Sequence, residues 1–411
     1  MRVPPKPAEA AAEFNRPQRD QRAKLVEIVE MGIGNNTIPI WQDGGKRLLL
    51  VSEGRGSSAP RKTVTVAGVE LVNGFGTSYS FLGLTGKGEQ WVEYVAKGAG
   101  INAYHRLVTR EFRGGADPFA KTLETTDFDH AADGYPVAVT PDGKTVFTFG
   151  FKVVEPAAPG KDDKRAFFFR ALDGGSGEPQ RTVAKIDGDE EYLSFAFAPS
   201  RDRLYVLLRT QNAVVMRAVA TATGKAIWDR NFDGFPGRSA GQRFALTDNG
   251  DTLAVAVPLY TELPVQPPPG GRVGPGFPGG WGPGGGGVSR SLAARVHILD
   301  AATGKDRVEL AGQGTGINQL YAISPDGRLV AGMVRNKHLN GSSGRIGEVV
   351  SLAVWDTKSG KVLKTWDHTF QSWDLFVTFA PNRPLMVLSQ PGADEKQSGT
   401  LGFWDLSGLL K

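Results

Sequence analysis

The stretch AISPDGRLVAGMV, residues 322–334, places an apolar run, a tight Pro-Asp-Gly turn and a second apolar run next to one another. Asp and Gly tolerate the backbone angles of a tight turn, and short Val- and Leu-rich runs bounded by such residues are typical of β-strands. The stretch therefore predicts a hairpin of two antiparallel strands.

The same phrase recurs along the chain in related forms. These are AVTPDGKTVFTFG (138–150), AFAPSRDRLYVLL (196–208), ALTDNGDTLAVAV (245–257) and TFAPNRPLMVLSQ (378–390), with looser forms at 39–51 and 82–94. The phrase therefore occurs in seven units, one of them stretched by an insertion. Self-similarity at such a spacing is typical of a repeat architecture.

A second phrase follows the hairpins, as in VHILDAATGKDRVEL (296–310) and LAVWDTKSGKVLKTW (352–366). It again joins two strands through a Gly-containing turn, so each unit holds four strands, named a, b, c and d. Seven four-stranded antiparallel sheets with almost no helical periodicity predict an all-β, seven-bladed β-propeller.

Two units end strand c in Trp-Asp, at Trp355-Asp356 and Trp404-Asp405, and His130 lies eleven residues before the turn residue Pro141. His368 has a looser equivalent spacing. In these features residues 22–411 resemble the WD-repeat family, although most units lack Trp-Asp, which indicates a divergent member. The resemblance implies a propeller that binds proteins or peptides without doing chemistry, with the two histidines in structural roles.

The chain ends just after a strand c, so the last blade lacks its own strand d. We expect AKLVEIVEM (23–31) to supply that strand and close the ring, although its apolar spacing also suits a short helix. The predicted organisation is a flexible Pro/Ala-rich segment over 1–22 and a single propeller over 23–411. Within the propeller, the Pro/Gly-rich tract 264–287 is predicted to be a disordered loop of blade five.

Composition narrows the classes of partner. The 48 basic and 43 acidic residues form no block of five or six like charges, which argues against a nucleic-acid partner. Cysteine is absent, which excludes disulfides and thiol chemistry. No run approaches the roughly 18 apolar residues of a membrane span, and no signal peptide is recognisable. We expect a soluble monomer and favour the cytoplasm, while an upstream anchor or domain stays open.

Three stretches match enzyme motifs but lack the flanking elements or residues that those motifs require. GRSAG (237–241) matches the nucleophile elbow GxSxG, but a loop precedes Ser239 and a strand follows it, where that elbow requires a strand and then a helix. GWGPGG (280–285) fits GxGxxG but lies in the Pro/Gly tract without a βαβ context. AVATATGKAIW (218–228) approximates a quinoprotein docking phrase, yet Ala220 replaces its Asp, so we interpret Trp228 as packing between blades.

Metal motifs fail as well. The histidines at 105, 130, 297, 338 and 368 include no ligand pair at helical spacing, and the acidic stretches 127–134 and 187–192 do not reproduce a calcium loop. The sequence therefore predicts no catalytic residue, cofactor or metal.

Three functions fit this sequence. The first is a non-catalytic, WD-like interaction scaffold. The second is an enzymatic propeller of lactonase or quinoprotein type, although the starts of strand a (Tyr135, Tyr192, Gln242, Gln319 and Trp373) do not converge on one chemistry. The third is a sensory or regulatory domain of a larger protein.

In an up-and-down blade the a–b and c–d turns lie on one face of the disc, and the b–c and d–a loops lie on the other. The long insertions of blades three, five, six and seven all fall between b and c. Insertions in repeat proteins gather on the binding face. We therefore expect a protein segment to dock there and contact Arg272, Trp281, Arg335, Lys337, His338 and Trp373.

Overall fold

The computed structural model describes most of the predicted strands. The described residues are 23–30, 35–53, 64–66, 68–75, 81–85, 90–97, 104–111, 121–127, 134–156, 164–186, 190–232, 235–236, 244–263, 289–310, 317–335, 350–366, 376–390 and 400–410. The lead-in 1–22 and the Pro/Gly tract 264–287 lie outside them.

The described strands form seven sheets, taken here as blades one to seven in chain order. Blade one contains β2 (Asn35–Gln42), β3 (Arg47–Glu53), β4 (Val64–Val66) and β5 (Val69–Phe75); blade two contains β6 (Phe81–Thr85), β7 (Gln90–Lys97), β8 (Tyr104–Glu111) and β9 (Lys121–Asp127). Blade three contains β10 (Tyr135–Val139), β11 (Thr145–Glu155), β12 (Lys164–Asp173) and β13 (Pro179–Ile186); blade four contains β14 (Glu191–Phe197), β15 (Arg203–Arg209), β16 (Val214–Ala220) and β17 (Ala226–Phe232).

The remaining blades follow the same order. Blade five contains β18 (Phe235–Pro236), β19 (Phe244–Leu246), β20 (Thr252–Leu263), β21 (Ser289–Asp300) and β22 (Asp306–Leu310); blade six contains β23 (Ile317–Ile323), β24 (Leu329–Arg335), β25 (Val350–Asp356) and β26 (Val362–Trp366). Blade seven contains β27 (Phe376–Phe379), β28 (Leu385–Gln390), β29 (Thr400–Asp405) and the N-terminal β1 (Lys24–Glu30). The prediction of an all-β propeller is confirmed.

The recurring Pro-Asp-Gly phrase owes its shape to one hydroxyl and one carboxylate. In blade six the Ser324 hydroxyl donates to Asp326 at 2.6 Å and accepts from the Leu329 amide at 2.9 Å, while Asp326 accepts from the Arg328 amide at 3.0 Å. Thr140 and Asp142 repeat this set in blade three. Because every partner lies within five residues, each hairpin turn is encoded locally.

Blade one departs from the antiparallel prediction. Its strand order is β2-β3-β5-β4, and β3 runs parallel to β5, with Arg47 opposite Glu70. The chain forms the outer strand β4 first and returns inward as β5 through a turn at Gly68, whose φ is +74°. A hairpin signal fixes that two strands pair, but it does not fix which of them lies nearer the centre.

The N-terminal strand belongs to the sheet of blade seven. β1 pairs antiparallel with β29, from Lys24 opposite Asp405 to Glu30 opposite Thr400. β2 of blade one contacts β27 of blade seven. A cluster with Leu48 and Phe403 joins the cores of the same two blades. That β1 closes the ring, and that closure contributes to stability, stay predictions.

The described core lies between blades. Each described cluster of buried apolar residues joins two successive sheets, and those clusters link blades two to seven in turn and blade seven to blade one. Trp355 and Trp404 are buried at the ends of their strands c, and the Trp404 ring meets Trp366 edge to face at 5.3 Å. In the described part of the chain, no helix has the length and hydropathy to cross a membrane.

Candidate interaction surface

Of the six predicted contact residues, one is described. Arg335 is the last residue of β24 and lies opposite Val350, the first residue of β25. It therefore borders the b–c connection of blade six, on the predicted face. Arg272, Trp281, Lys337, His338 and Trp373 lie outside the described residues, so their role stays a prediction.

The structure shows a further feature on this face, in blade three. β11 has eleven residues, whereas β15, the same strand of blade four, has seven. The inner strand β10 covers β11 only as far as Phe149, which lies opposite Tyr135. Beyond that point, within the part of the chain that the structure describes, β11 pairs with β12 alone, from Gly150 opposite Phe168 to Glu155 opposite Lys164. We call residues 150–155 together with 164–168 the blade-three extension.

The extension exposes apolar side chains. Phe151 is 48% exposed, Val153 46% and Val154 54%, in a chain whose other large apolar residues are mostly buried where described. These three side chains, one aromatic ring and two aliphatic groups of the same strand, remain in water and forgo the free energy of burial. Phe151 and Val153 lie on one face of the strand and Val154 lies on the other, so the extension exposes apolar side chains on both faces, which is typical of a binding surface.

The exposed ring is the outer end of an aromatic ladder. Phe151 lies 6.1 Å from Phe167 between ring centroids, and Phe167 stacks on Phe149 at 5.7 Å with an interplanar angle of 3°. Phe149 and Phe167 both contact Tyr192 of blade four, at 4.8 and 5.4 Å. The ladder therefore ties the patch to the buried seam between blades three and four and holds it rigid.

Two glycines set the boundary between blade and extension. Gly134 has a φ of +84°, and a Cβ there would lie 2.5 Å from the Phe149 carbonyl oxygen. A Cβ on Gly150 would overlap the Phe168 ring. Only glycine allows the inner strand to approach so closely and then turn away. Larger residues at either position would displace the extension from the blade.

Charge at the extension is mixed and mainly basic. The Arg165 guanidinium lies over the Phe151 ring, 4.6 Å from its centroid, and Lys152 is exposed on the opposite side of the strand. Glu155 is the acidic residue of the described extension. Burial raises the pKa of the Tyr192 phenol at the base of the ladder.

Sequence reasoning located the extension as an insertion but missed its apolar residues as a surface. The available signal was the run TVFTFGFKVVE, which continues in β-forming residues well past the length of a blade strand. Residues that continue a strand beyond its inner neighbour have no blade to pack against. A strand that is too long is therefore the pattern that predicts an exposed extension.

The other candidate residues have structural surroundings where they are described. Trp228 packs between blades four and five as expected, its Nε1 donating to the Ala301 carbonyl at 3.3 Å. His297 is largely buried against Phe232, with Nδ1 3.3 Å from Asp306 Oδ1, and burial lowers its pKa. His105 lies within β8. Among the described residues, no three acidic or histidine side chains gather as metal ligands would.

The motif GRSAG with Ser239, the tract with GWGPGG, and His130 and His368 lie outside the described residues. Of the two acidic stretches, residues 128–133 and 187–189 lie outside them as well. Their interpretation rests on sequence alone.

Comparison with known proteins places the fold but no family. No protein-family model matches the chain, and no curated protein sequence matches it. The β-propeller domain of Cps50 (Swd1) from Myceliophteria thermophila is 12% identical, with a TM-score of 0.50 over 93% of this chain and 99% of that one. At this identity the likeness shows the propeller fold alone.

Two further solved structures are less similar to this chain. The Dos1 propeller is 11% identical, with a TM-score of 0.44 over 93% of this chain and 95% of that one. A puromycin-hydrolyzing peptidase from Mycobacterium tuberculosis is 16% identical, also with a TM-score of 0.44, over 87% of this chain and 50% of that one. Function has to be argued from the residues of this chain.

Proposed function

We propose that the chain is a WD-like interaction scaffold, whose b–c face binds a protein or peptide partner through the blade-three extension. The observation that carries the proposal is the exposure of Phe151, Val153 and Val154 on a rigid hairpin beyond the blade. Single exposed apolar residues are ordinary, but a clustered and braced set is typical of a docking surface.

The anchoring of the patch supports the proposal. Binding is tightest where aromatic residues are held in place before the partner arrives, because less conformational entropy is lost on association. The ladder from Phe151 through Phe167 to Tyr192 supplies that preorganisation. Arg165 over the Phe151 ring adds a group that is favoured at interfaces.

The enzymatic alternative has less support from the described residues. Tyr135 is exposed at the start of β10 and Tyr192 is packed in the aromatic ladder, while Gln319 lies within β23. Tyrosine and glutamine side chains do not supply an acid–base pair at physiological pH. Gln242 and Trp373 lie outside the described residues, so a hydrolase screen remains the direct test of this alternative.

The proposal is tested by affinity purification from the native source with tagged wild type and the double variant Phe151→Ser, Val154→Ser. Both replaced side chains are exposed, so the fold is expected to survive. We expect specific partners recovered with wild type to be depleted at least tenfold with the variant, measured by quantitative mass spectrometry.

Ile227→Ser is the matched control, because Ile227 is 44% exposed on β17 next to the c–d turn of blade four, on the other face. It removes a comparable apolar surface and is expected to leave the recovered partners unchanged. A partner set equal for wild type and the double variant, with melting temperatures also equal, would remove the blade-three extension from consideration.

A further inference from the structure

Blades three and five share one register over their two longest strands. In blade three Val146 lies opposite Val139 on one side and Leu172 on the other; in blade five Leu253 lies opposite Leu246 and Leu299. The β20–β21 pairing then runs without a register shift, and the β11–β12 pairing does so as far as Val153, so Lys152 and Val153 of β11 correspond to Leu259 and Tyr260 of β20. The same stretch of strand therefore extends past the inner strand in both blades.

In blade five, a short strand pairs with the stretch of β20 that extends past the inner strand. The two-residue strand β18 pairs antiparallel with the extension of β20, Phe235 opposite Tyr260 and Pro236 opposite Leu259. It lies on the inner side, in line with β19, which pairs with the same strand farther down. In blade three, no strand among the described residues lies along the corresponding edge at Lys152 and Val153.

The direction of the backbone N–H and C=O groups of β11 shows which of them a partner could hydrogen-bond. The Thr145 carbonyl accepts from the Thr140 amide, so the backbone of Thr145 points inward, and the Thr252 carbonyl does the same in blade five. Alternation along a regular strand then directs the amides and carbonyls of Phe151 and Val153 inward. Val153 corresponds to Tyr260, the residue that pairs with Phe235.

Pro258 supports this assignment. It corresponds to Phe151, and a proline is tolerated in a strand only where its missing N–H would not face a paired neighbour. In blade five that position lies between the start of β19, where Phe244 is opposite Val255, and the end of β18, where Pro236 is opposite Leu259. Among the described residues, no strand therefore pairs with the inward edge of β20 at the position of Pro258.

We propose that the inner edge of β11 at Phe151 and Val153 binds an extended peptide of a partner protein by antiparallel strand addition, as β18 binds β20. This inference rests on the proposed function and specifies how the partner binds. The bound segment carries apolar residues that meet Phe151 and Val153. It also carries acidic residues, because Lys152 and Arg165 outnumber Glu155 at the exposed part of the extension.

The probe is a phage-displayed library of random twelve-residue peptides, selected on the full chain and then synthesised for fluorescence polarisation. Val153→Pro removes the inward amide of residue 153. The pairing of this residue with Arg165 of β12 loses no hydrogen bond, because the amide of Val153 points away from β12. Val153→Thr is the matched control, since it keeps the amide and the β-branched shape. We expect enriched peptides to be acidic, to bind Val153→Pro at least tenfold more weakly and to bind Val153→Thr within threefold of wild type.

A second measurement does not depend on how the proline variant folds. In a peptide bound by strand addition, every second backbone amide faces β11. N-methylation of that set of amides is expected to abolish binding, and N-methylation of the intervening set is expected to leave binding unchanged. Strand addition is refuted if no peptide is enriched over a chain lacking residues 151–164, or if neither Val153→Pro nor N-methylation changes affinity. Loss of native partners with the serine double variant but not with Val153→Pro would leave the proposed function standing and reject strand addition alone.

Discussion

Gly304 is the position where one methyl group tests how blades four and five pack. It lies in the turn between β21 and β22 with a φ of +69°. A Cβ there would lie 2.6 Å from Cε3 and 2.7 Å from Cδ2 of Trp228, whose ring rests on the turn from the neighbouring blade. Gly304→Ala therefore meets two separate penalties, one from the backbone and one from the ring.

The two penalties have different sizes. Alanine at positive φ costs about 1 kcal/mol. Displacing the half-buried Trp228 ring, with the loss of its hydrogen bond to the Ala301 carbonyl, costs about 2 kcal/mol more. Gly250→Ala is the control, because Gly250 has a φ of +72° and a Cβ there would meet its nearest neighbour, Pro199, at an ordinary 3.4 Å. We expect Gly304→Ala to destabilise by about 3 kcal/mol and Gly250→Ala by about 1 kcal/mol.

A double-mutant cycle separates the ring from the backbone. Trp228→Ala alone is expected to cost about 2 kcal/mol, and adding Gly304→Ala to it then adds only the backbone penalty of about 1 kcal/mol. The assay is chemical denaturation followed by far-ultraviolet circular dichroism, with the free energy of unfolding as the readout. Additive effects, or equal costs for Gly304→Ala and Gly250→Ala, would show that Trp228 does not rest on this turn in solution.

Three further perturbations address closure, the core and the turns. Deleting residues 1–31 removes β1 from blade seven and exposes the edge of β29, so we expect a lower melting temperature and aggregation by light scattering, whereas deleting residues 1–18 should change neither. Trp355→Ala and Trp404→Ala each remove a buried ring and should lower the free energy of unfolding by about 3 kcal/mol; unchanged denaturation midpoints would contradict the burial. Hydrogen bonds from Arg307 and Thr303 hold the pKa of Asp300 below its usual range, so its contribution is present above about pH 4 and is lost as the pH falls through the folded-state pKa. Asp300→Asn should therefore melt below wild type at pH 7 and converge with it in acid, and a difference that does not depend on pH would reject this role.

The sequence predicted the position of the candidate site only as far as the b–c insertion of blade three. Arg335 is the last residue of β24, beside the b–c connection of blade six, and its role as a contact stays a prediction. The exposure of Phe151 could not be anticipated, because Phe147 in the same run is buried. Whether a residue of this run is covered depends on where β10 begins, and that point lies next to Gly134, where a Cβ would overlap the Phe149 carbonyl.

The amino-acid sequence by itself determined the hairpins of blades three and six, because their turns are stabilised by groups within five residues, such as Ser324, Asp326 and the Leu329 amide. Tertiary structure alone decided the parallel pairing of β3 with β5 and the shared register of blades three and five. It also decided which strand edges are covered, as β18 covers β20. The physical reason is that pairing order and edge coverage depend on contacts between segments far apart in the chain, for which a local pattern of turn and strand residues carries no preference.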